Sequence, residues 1–440
     1  MKMKKSALIG FAVAAALGAS AVQAADQYIG LPSYRVGPYA AGGTGIFGGM
    51  IDYFQLVNER DGGINGVKLT WEECETEYNN ARGVECWERM KKGGPTGNTV
   101  FHPLSTGITY SVIEKAPADK IPVISLGYGR TDASDGRVFP YVFPLLTNYW
   151  SQNTAKIKFI GMKEGGMDKL KGKKIVNIYH DSAYGKETIP VLDAQAKMYG
   201  FTVKHVPVAH PGNEQQSQWL QVRQEKPDWV ILRGWGVMNP TALKAAAKIG
   251  FPREKIVGVW WSGAEEDTIP AGAAAKGYIS AGFNVSGTNY PVIKDIQKYV
   301  VAKGKTNMED KSRIGSVYYN RGVVHGIITV EAIRKAQEKY GKGKSITGEQ
   351  MRWGIENLNI DAAMLKKLGA EGFMPALKMS CANHEGSGLV KFQQWDGKQW
   401  KVITDWIESD QKLVRGMIEE SAAKYAKEKN ITPRDCSKES

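Results

Sequence analysis

Short β-rich runs alternate with helical patterns along almost the whole of this chain, and that beat constrains its fold more than any other feature. QYIGLPSYRV, VKLTWEE, IPVISLG, KKIVNIY, FTVKHVPV, PDWVILRGW and KIVGVWW read as strands. Between them GIFGGMIDYFQLVNE, ARGVECWERMKK, residues 186–199 and NPTALKAAAKIG carry apolar residues at helical spacing. Repeated βα units leave the strands parallel and the helices on the faces of the sheet, so the pattern predicts an α/β protein with parallel-sheet cores. One such sheet rarely needs more than about 200 residues. A chain of 440 therefore predicts two doubly wound lobes.

Three crossings between the lobes are expected: between FPYVFPLLT and a helix starting near Tyr149, near AAKGYISAGFNVSG, and near NLNI. They divide the chain into a first lobe of residues 25–147 plus 283–358 and a second of residues 148–282 plus 359–430. LVKFQQWDGKQWKVI reads as two strands around an Asp396-Gly397 turn. Residues 410–429 read as a charged amphipathic helix, and residues 431–440 as a frayed tail.

The first 24 residues have a lysine-rich head (Lys2, Lys4, Lys5), a short apolar stretch over residues 7–19, and Val22 and Ala24 in an A-x-A-like position before Ala25. This is the pattern of a cleaved secretory signal peptide, and the apolar stretch is shorter than the roughly 20 residues of a membrane helix. Without a twin arginine, or a cysteine at the cleavage site, the expected product is free in an oxidising space, a bacterial periplasm. Four cysteines suit that compartment. Three pairings are open; the local one, Cys74 with Cys86 and Cys381 with Cys436, is preferred because each bridge staples a loop-rich region. No CxxC and no close histidine pair suggests zinc, and no metal is expected.

The net charge of +13 at pH 7 raises the question of nucleic acid. The positive residues are scattered among acids, however, and the densest run, GMKEGGMDKLKGKK, is broken by Glu164 and Asp168. It reads as a solvated loop, and no nucleic-acid partner is expected.

The sharpest formal motif is the GxGxxG of Gly43, Gly45 and Gly48, with Glu72, Glu73 and Glu75 after the next strand. It suggests a dinucleotide site, and hence an exported oxidoreductase as the alternative reading. A chain exported unfolded carries no cytoplasmic cofactor with it, so none is expected, and the glycines read as close helix packing. Hydrolase signatures (GxSxG, HExxH) are absent. The histidines at 102, 180, 205, 210, 325 and 384 share no ligand spacing and read as structural or surface residues.

Small-residue loops after strands are more informative. Ser105 and Thr106 in FHPLSTGITYS stand where a helix begins, and Gly127, Tyr128 and Gly129 follow the neighbouring strand. Amides at such places bind carboxylates, although capping accounts equally for the two hydroxyls. In the second half Tyr184, Trp235, Trp260 and Trp261 gather at strand ends, as the walls of a cleft do.

These segments together resemble the leucine/isoleucine/valine-binding proteins, the substrate-binding components of bacterial ABC importers with the type I periplasmic binding protein fold. The likeness runs through GPYAAGGTGIFGGMIDYFQLVNERDGGINGVKL, HPLSTGIT, IPVISLG, FPYVFPLL, IYHDSAYGKE, KPDWVILRGWG, LKAAAKIGF and WDGKQWKVI. It implies two lobes on a three-strand hinge, no catalysis, a small-molecule ligand, an inner-membrane permease with its ATPase as partners, and a monomer. A ligand-sensing receptor domain of the same fold is the other alternative. By position, the resemblance implies ligand contacts from Tyr39, Leu104, Ser105, Thr106, Gly127, Tyr128 and Gly129 in the first lobe, and from Tyr184, Trp235 and Trp260 in the second.

Two departures bear on the ligand. Amino-acid binders of this family offer a threonine where Gly129 stands and an acid near Trp260. The resemblance implies a branched-chain or other hydrophobic amino acid as ligand. An unpaired buried ammonium is costly, however, so unless Glu265 or Glu266 reaches in, or ring faces replace the acid, the pocket chemistry of the tryptophans implies an aromatic carboxylate, a flat apolar solute with one carboxylate, instead.

Overall fold

The computed structural model describes residues 26–439, so the leader read over residues 1–24 lies outside it. The first lobe is built on β1 (Gln27–Leu31), β2 (Leu69–Glu73), β3 (Val123–Ile124) and β4 (Val142–Phe143). β1 runs parallel to β2, from Gln27 opposite Leu69 to Leu31 opposite Glu73, and β3 runs parallel to β4. Phe101 joins the pairs through parallel bridges to Gly30 and Val123. The second lobe carries β5 (Lys174–His180), β6 (Thr202–Val208), β7 (Trp229–Arg233), β8 (Ile256–Gly258) and β9 (Ile279–Gly282), all parallel in the order β6-β5-β7-β8-β9. Central β7, WVILR, is buried throughout, as a strand covered by helices on both faces must be.

Two short strands, β10 (Asn359–Ile360) and β11 (Leu377–Lys378), form a separate antiparallel pair. β12 (Leu389–Trp395) then adds antiparallel to β9, with β13 (Trp400–Val402) and β14 (Ile407–Glu408) on it. The hairpin turn is where DG marks it, Asp396 Oδ1 accepting the Lys398 and Gln399 N–H groups at 2.8 and 2.9 Å.

The chain passes from the first group of parallel strands to the larger sheet after β4, and leaves that sheet after β9. It returns to it later than NLNI. The strand expected there pairs with β11, the chain stays with the first lobe through Val292 N–H to Gly369 O at 3.1 Å and the Tyr290–Phe373 ring contact, and it joins the second sheet only at Leu389. Hydrophobic pattern locates a strand without naming its partner.

Cys74 is bonded to Cys86 and Cys381 to Cys436. The second bridge corrects the frayed-tail reading within the described residues: Cys436 is held covalently, the Arg434 N–H meets Arg137 O at 2.8 Å, and its guanidinium reaches Glu356 at 2.6 Å. The helix Gln411–Glu428 touches both lobes. Val414 and Ile418 pack on Trp150 and Val191, while Ala422, Tyr425 and Ala426 join Val138, Phe139 and Tyr141. Among the described residues, no helix is long and apolar enough to cross a membrane.

Candidate functional site

The strand ends of the two lobes face each other, and aromatic rings fill much of the space between them. On the first lobe, Ser105 caps the helix Thr106–Val112 by accepting the Ile108 N–H at 3.3 Å. Thr106 Oγ1 accepts the Gly129 N–H at 3.1 Å, tying the two small-residue loops together. Leu104 O accepts from the Tyr34 hydroxyl at 3.0 Å, which also lies 3.0 Å from that of Tyr128.

From the second lobe, Trp235 lies just past the end of β7, parallel to the Tyr39 ring and edge-on to Tyr34, Tyr128, Trp261 and Tyr318. Gly42 makes room for it, since a Cβ there would lie 2.4 Å from the indole. Trp260 and Trp261 each donate from Nε1 to Gly127 O at 2.7 Å. Tyr128 stacks on Trp261 at 4.0 Å, and Tyr149 on Trp260 at 5.4 Å. The lobes are therefore in direct contact around one carbonyl.

Beside this layer lies a cavity of about 370 Å³, a size that suits a small organic solute. Tyr39, Ser105, Tyr184 and Trp235 line it, together with Tyr78, Asn79, Asn80, Gly107, His180, Ser182 and His210. Of the ten ligand candidates, those first four are brought together on its wall. Leu104, Thr106, Gly127, Tyr128, Gly129 and Trp260 do not line it; they belong to the contacts around Gly127 and the two loops.

Two of the six histidines, His180 and His210, lie on the cavity wall. His180 Nε2 meets the Tyr39 hydroxyl and Nδ1 meets Ser182 Oγ, both at 2.8 Å, and its ring stacks on His210 at 5.2 Å. Burial pushes His180 down to about 4, so the ring is neutral at pH 7. The other four are structural: His102 and His325 share the first-lobe core, His205 meets Asp193, and His384 meets Glu356.

The acids near Trp260 do not face the cavity. Glu265 accepts the Val317 N–H at 2.8 Å, and Glu266 pairs with Arg313 at 2.7 Å. Burial, then the charge of Glu266, pushes Glu265 up to about 8. Asp267, raised to about 7 by burial, is held by Asn239 and Tyr318, each at 2.8 Å. Among the described residues, no Asp, Glu, Lys or Arg lines the cavity.

The dinucleotide motif has no loop to work with. Gly43, Gly45 and Gly48 lie inside the helix Ala40–Asp61. An added Cβ would meet Tyr34 O at 2.0 Å, Tyr318 Cβ at 3.0 Å and Met308 Sδ at 2.2 Å respectively, so these glycines seat neighbouring chain. Glu72 and Glu73 pair with Arg89 and Arg35, and Glu75 accepts the Arg35 N–H.

A sequence profile described as "Periplasmic binding protein" matches residues 26–399. A solved structure from the Pseudomonas fluorescens group, described as an ABC transporter permease, is 49% identical with a TM-score of 0.88, the match covering 93% of this chain and 99% of that one. A branched-chain amino acid ABC transporter protein from Thermus thermophilus, solved with bound valine, is 22% identical with a TM-score of 0.74 over 89% and 99% of the two chains. A solute-binding protein from R. palustris, in complex with benzoate, is 19% identical with a TM-score of 0.68 over 88% and 98%. The last two share the fold. No curated protein sequence matches significantly.

Proposed function

The chain belongs to the periplasmic binding protein family of ABC transporters, a family that binds and does not catalyse, and from that premise we propose that it captures one flat organic solute bearing a single carboxylate and delivers it to a membrane permease and its ATPase. The carrying observation is the 370 Å³ cavity, with aromatic walls from both lobes and no Asp, Glu, Lys or Arg among its described lining residues. An α-amino acid brings an ammonium that needs an acid; the three acids after Trp260 are engaged elsewhere, and Asp181 and Glu77, beside the lining residues, pair with Lys186 and Arg82. A carboxylate needs donors, and Ser105 and Gly107 present the start of a helix to the cavity.

The solute docks on the first lobe, and Tyr184 and Trp235 of the second close over it. A solute touching both lobes stabilises the closed form more than the open one. We assign the lobes as residues 26–147 with 283–386, and 148–282 with 389–408, the final helix lying on both. Export by the leader over residues 1–24 places the protein in the periplasm, and it acts as a monomer.

The test is a panel of thermal melts on the mature protein with aromatic carboxylates, their amides and branched-chain amino acids. A ligand at 100 times its Kd adds about 2.7 kcal/mol. Aromatic carboxylates are expected to raise Tm, and Trp235→Ala to weaken their binding by more than about 1 kcal/mol. A shift with valine or leucine alone overturns the solute class, as the valine bound by the Thermus protein would suggest.

A further inference from the structure

Behind Tyr184 the second lobe encloses two basic side chains with no carboxylate partner. Arg233, the last residue of β7, is fully buried. Its Nε and Nη2 donate to Tyr184 O at 3.1 and 2.8 Å, and its guanidinium lies 4.0 Å over the Tyr149 ring and 4.6 Å over that of Tyr184. Its Nη1 has no hydrogen-bond partner. Lys156, on the helix Tyr149–Glu164, is equally buried, and its Nζ has none either.

Helical spacing places Tyr149, Gln152 and Lys156 along one face, the face that presents the Tyr149 ring to Arg233. Both amide atoms of Gln152 lack partners, as does the hydroxyl of Thr188, which precedes the helix Ile189–Tyr199. The two segments meet here: Trp150 Nε1 donates to Glu187 O at 2.7 Å, and Asn153 donates to Gln195 at 2.9 Å. The buried acids nearby are engaged elsewhere. Glu187 accepts the Thr131 N–H at 2.6 Å and the Tyr110 hydroxyl, and Asp267 is held by Asn239 and Tyr318.

A guanidinium stays charged at any accessible pH, and an unpaired buried charge is strongly destabilising. Ring faces and one carbonyl offset only part of that cost. Arg233 Nη1, Lys156 Nζ, Gln152 Nε2 and the Thr188 hydroxyl are four buried donors without partners. Arg233 carries the positive charge, while burial and then that charge hold the Lys156 amine well below its usual range, a penalty that an anion relieves and water does not. We propose that Arg233, Lys156, Gln152 and Thr188 form a binding site for a compact monovalent anion of halide type. With its charge balanced, Arg233 holds the Tyr184 carbonyl in place, and the Tyr184 ring is a wall of the solute cavity. Anion and solute binding are then coupled, whatever the solute is.

The experiment uses the wild-type mature protein. Crystals in sodium bromide are expected to give an anomalous peak within hydrogen-bond reach of Arg233 Nη1 and Lys156 Nζ. In solution, Tm is expected to rise by several degrees in chloride over gluconate at matched ionic strength. Lys156→Met should raise the half-saturating chloride concentration tenfold or more, with Gln152→Ala as the milder variant should the first not fold. Ordered water without anomalous signal overturns the proposal. So does a bromide peak without any chloride-specific shift, which marks an ion bound at crystal concentration only.

Discussion

His180 joins the lobes through the Tyr39 hydroxyl at 2.8 Å, and burial holds its imidazole down to about 4, against about 6.5 in an unfolded chain. Between those values the unfolded chain binds more protons than the folded one, so stability rises with pH there. The neutral-His contribution is complete above about pH 6.5 and is lost as pH falls toward 4, a change of about 3 kcal/mol. His102 and His325, also held down by burial, titrate in the same direction. The difference between wild type and His180→Gln isolates the one residue: the variant's Tm should fall less between pH 7 and 4.5, and parallel curves would refute the assignment. The same residue marks the limit of reading the site from sequence. Of the residues on the cavity wall, Ser105, Tyr184 and Trp235 were legible from loops after strands and Tyr39 only through the family resemblance. His180 and Tyr78 were not, because a neutral buried histidine has no spacing signature and its partner lies 141 positions away.

Three helix glycines show how the same residue type takes opposite roles in different elements. Where the helices Ala40–Asp61 and Val317–Tyr340 cross, a Cβ on Gly322 would lie 1.9 Å from Ile46 O, and one on Gly49 would lie 2.0 Å from Tyr319 O. Gly416, in the second turn of Gln411–Glu428, has nothing within 4 Å of an added Cβ. Gly322→Ala should therefore destabilise by about 1–3 kcal/mol through overpacking, although alanine is the better helix former. Gly416→Ala should stabilise by up to about 1 kcal/mol from propensity alone. Urea midpoints at constant m-value read both, and equal signs would contradict the packing account. Backbone elements were legible at this scale because the alternation of strand and helix is a local pattern. The meaning of the glycines was not, since GxGxxG is identical whether it cradles a phosphate or admits Tyr34 and Met308, and only the neighbours distinguish the two. NLNI likewise declared a strand but not its partner.

For the molecule as a whole, the helix Gln411–Glu428 lies on both lobes at once, and this bears on how far they can part. Its first half packs on Trp150 and Val191 of the second lobe. Its second half reaches the first lobe through the Tyr425–Phe139 stack at 4.7 Å, the Ser421 hydroxyl on Asp132 at 2.8 Å and Glu419 on Arg137 at 3.1 Å. Beyond it, Cys436 is bonded to Cys381, whose carbonyl lies against Gly136 of the first lobe. Opening must strip one half of this helix from its lobe, and the disulfide makes the first-lobe end the harder one to release. If the lobes part as proposed, contacts from both halves of one helix favour the arrangement in which both are made, and so bias the equilibrium toward it in the absence of solute. Replacing both Cys381 and Cys436 by alanine removes a closure spanning 55 residues and should lower stability by about 2–4 kcal/mol. If the helix is a strap, the same variant, examined below its Tm and without solute, will also scatter with a larger radius of gyration than wild type and bind solute more weakly, because its competent closed form is less populated. Equal radii and equal affinities alongside the lower Tm would leave the bridge a staple for the tail and remove the strap from any account of closure.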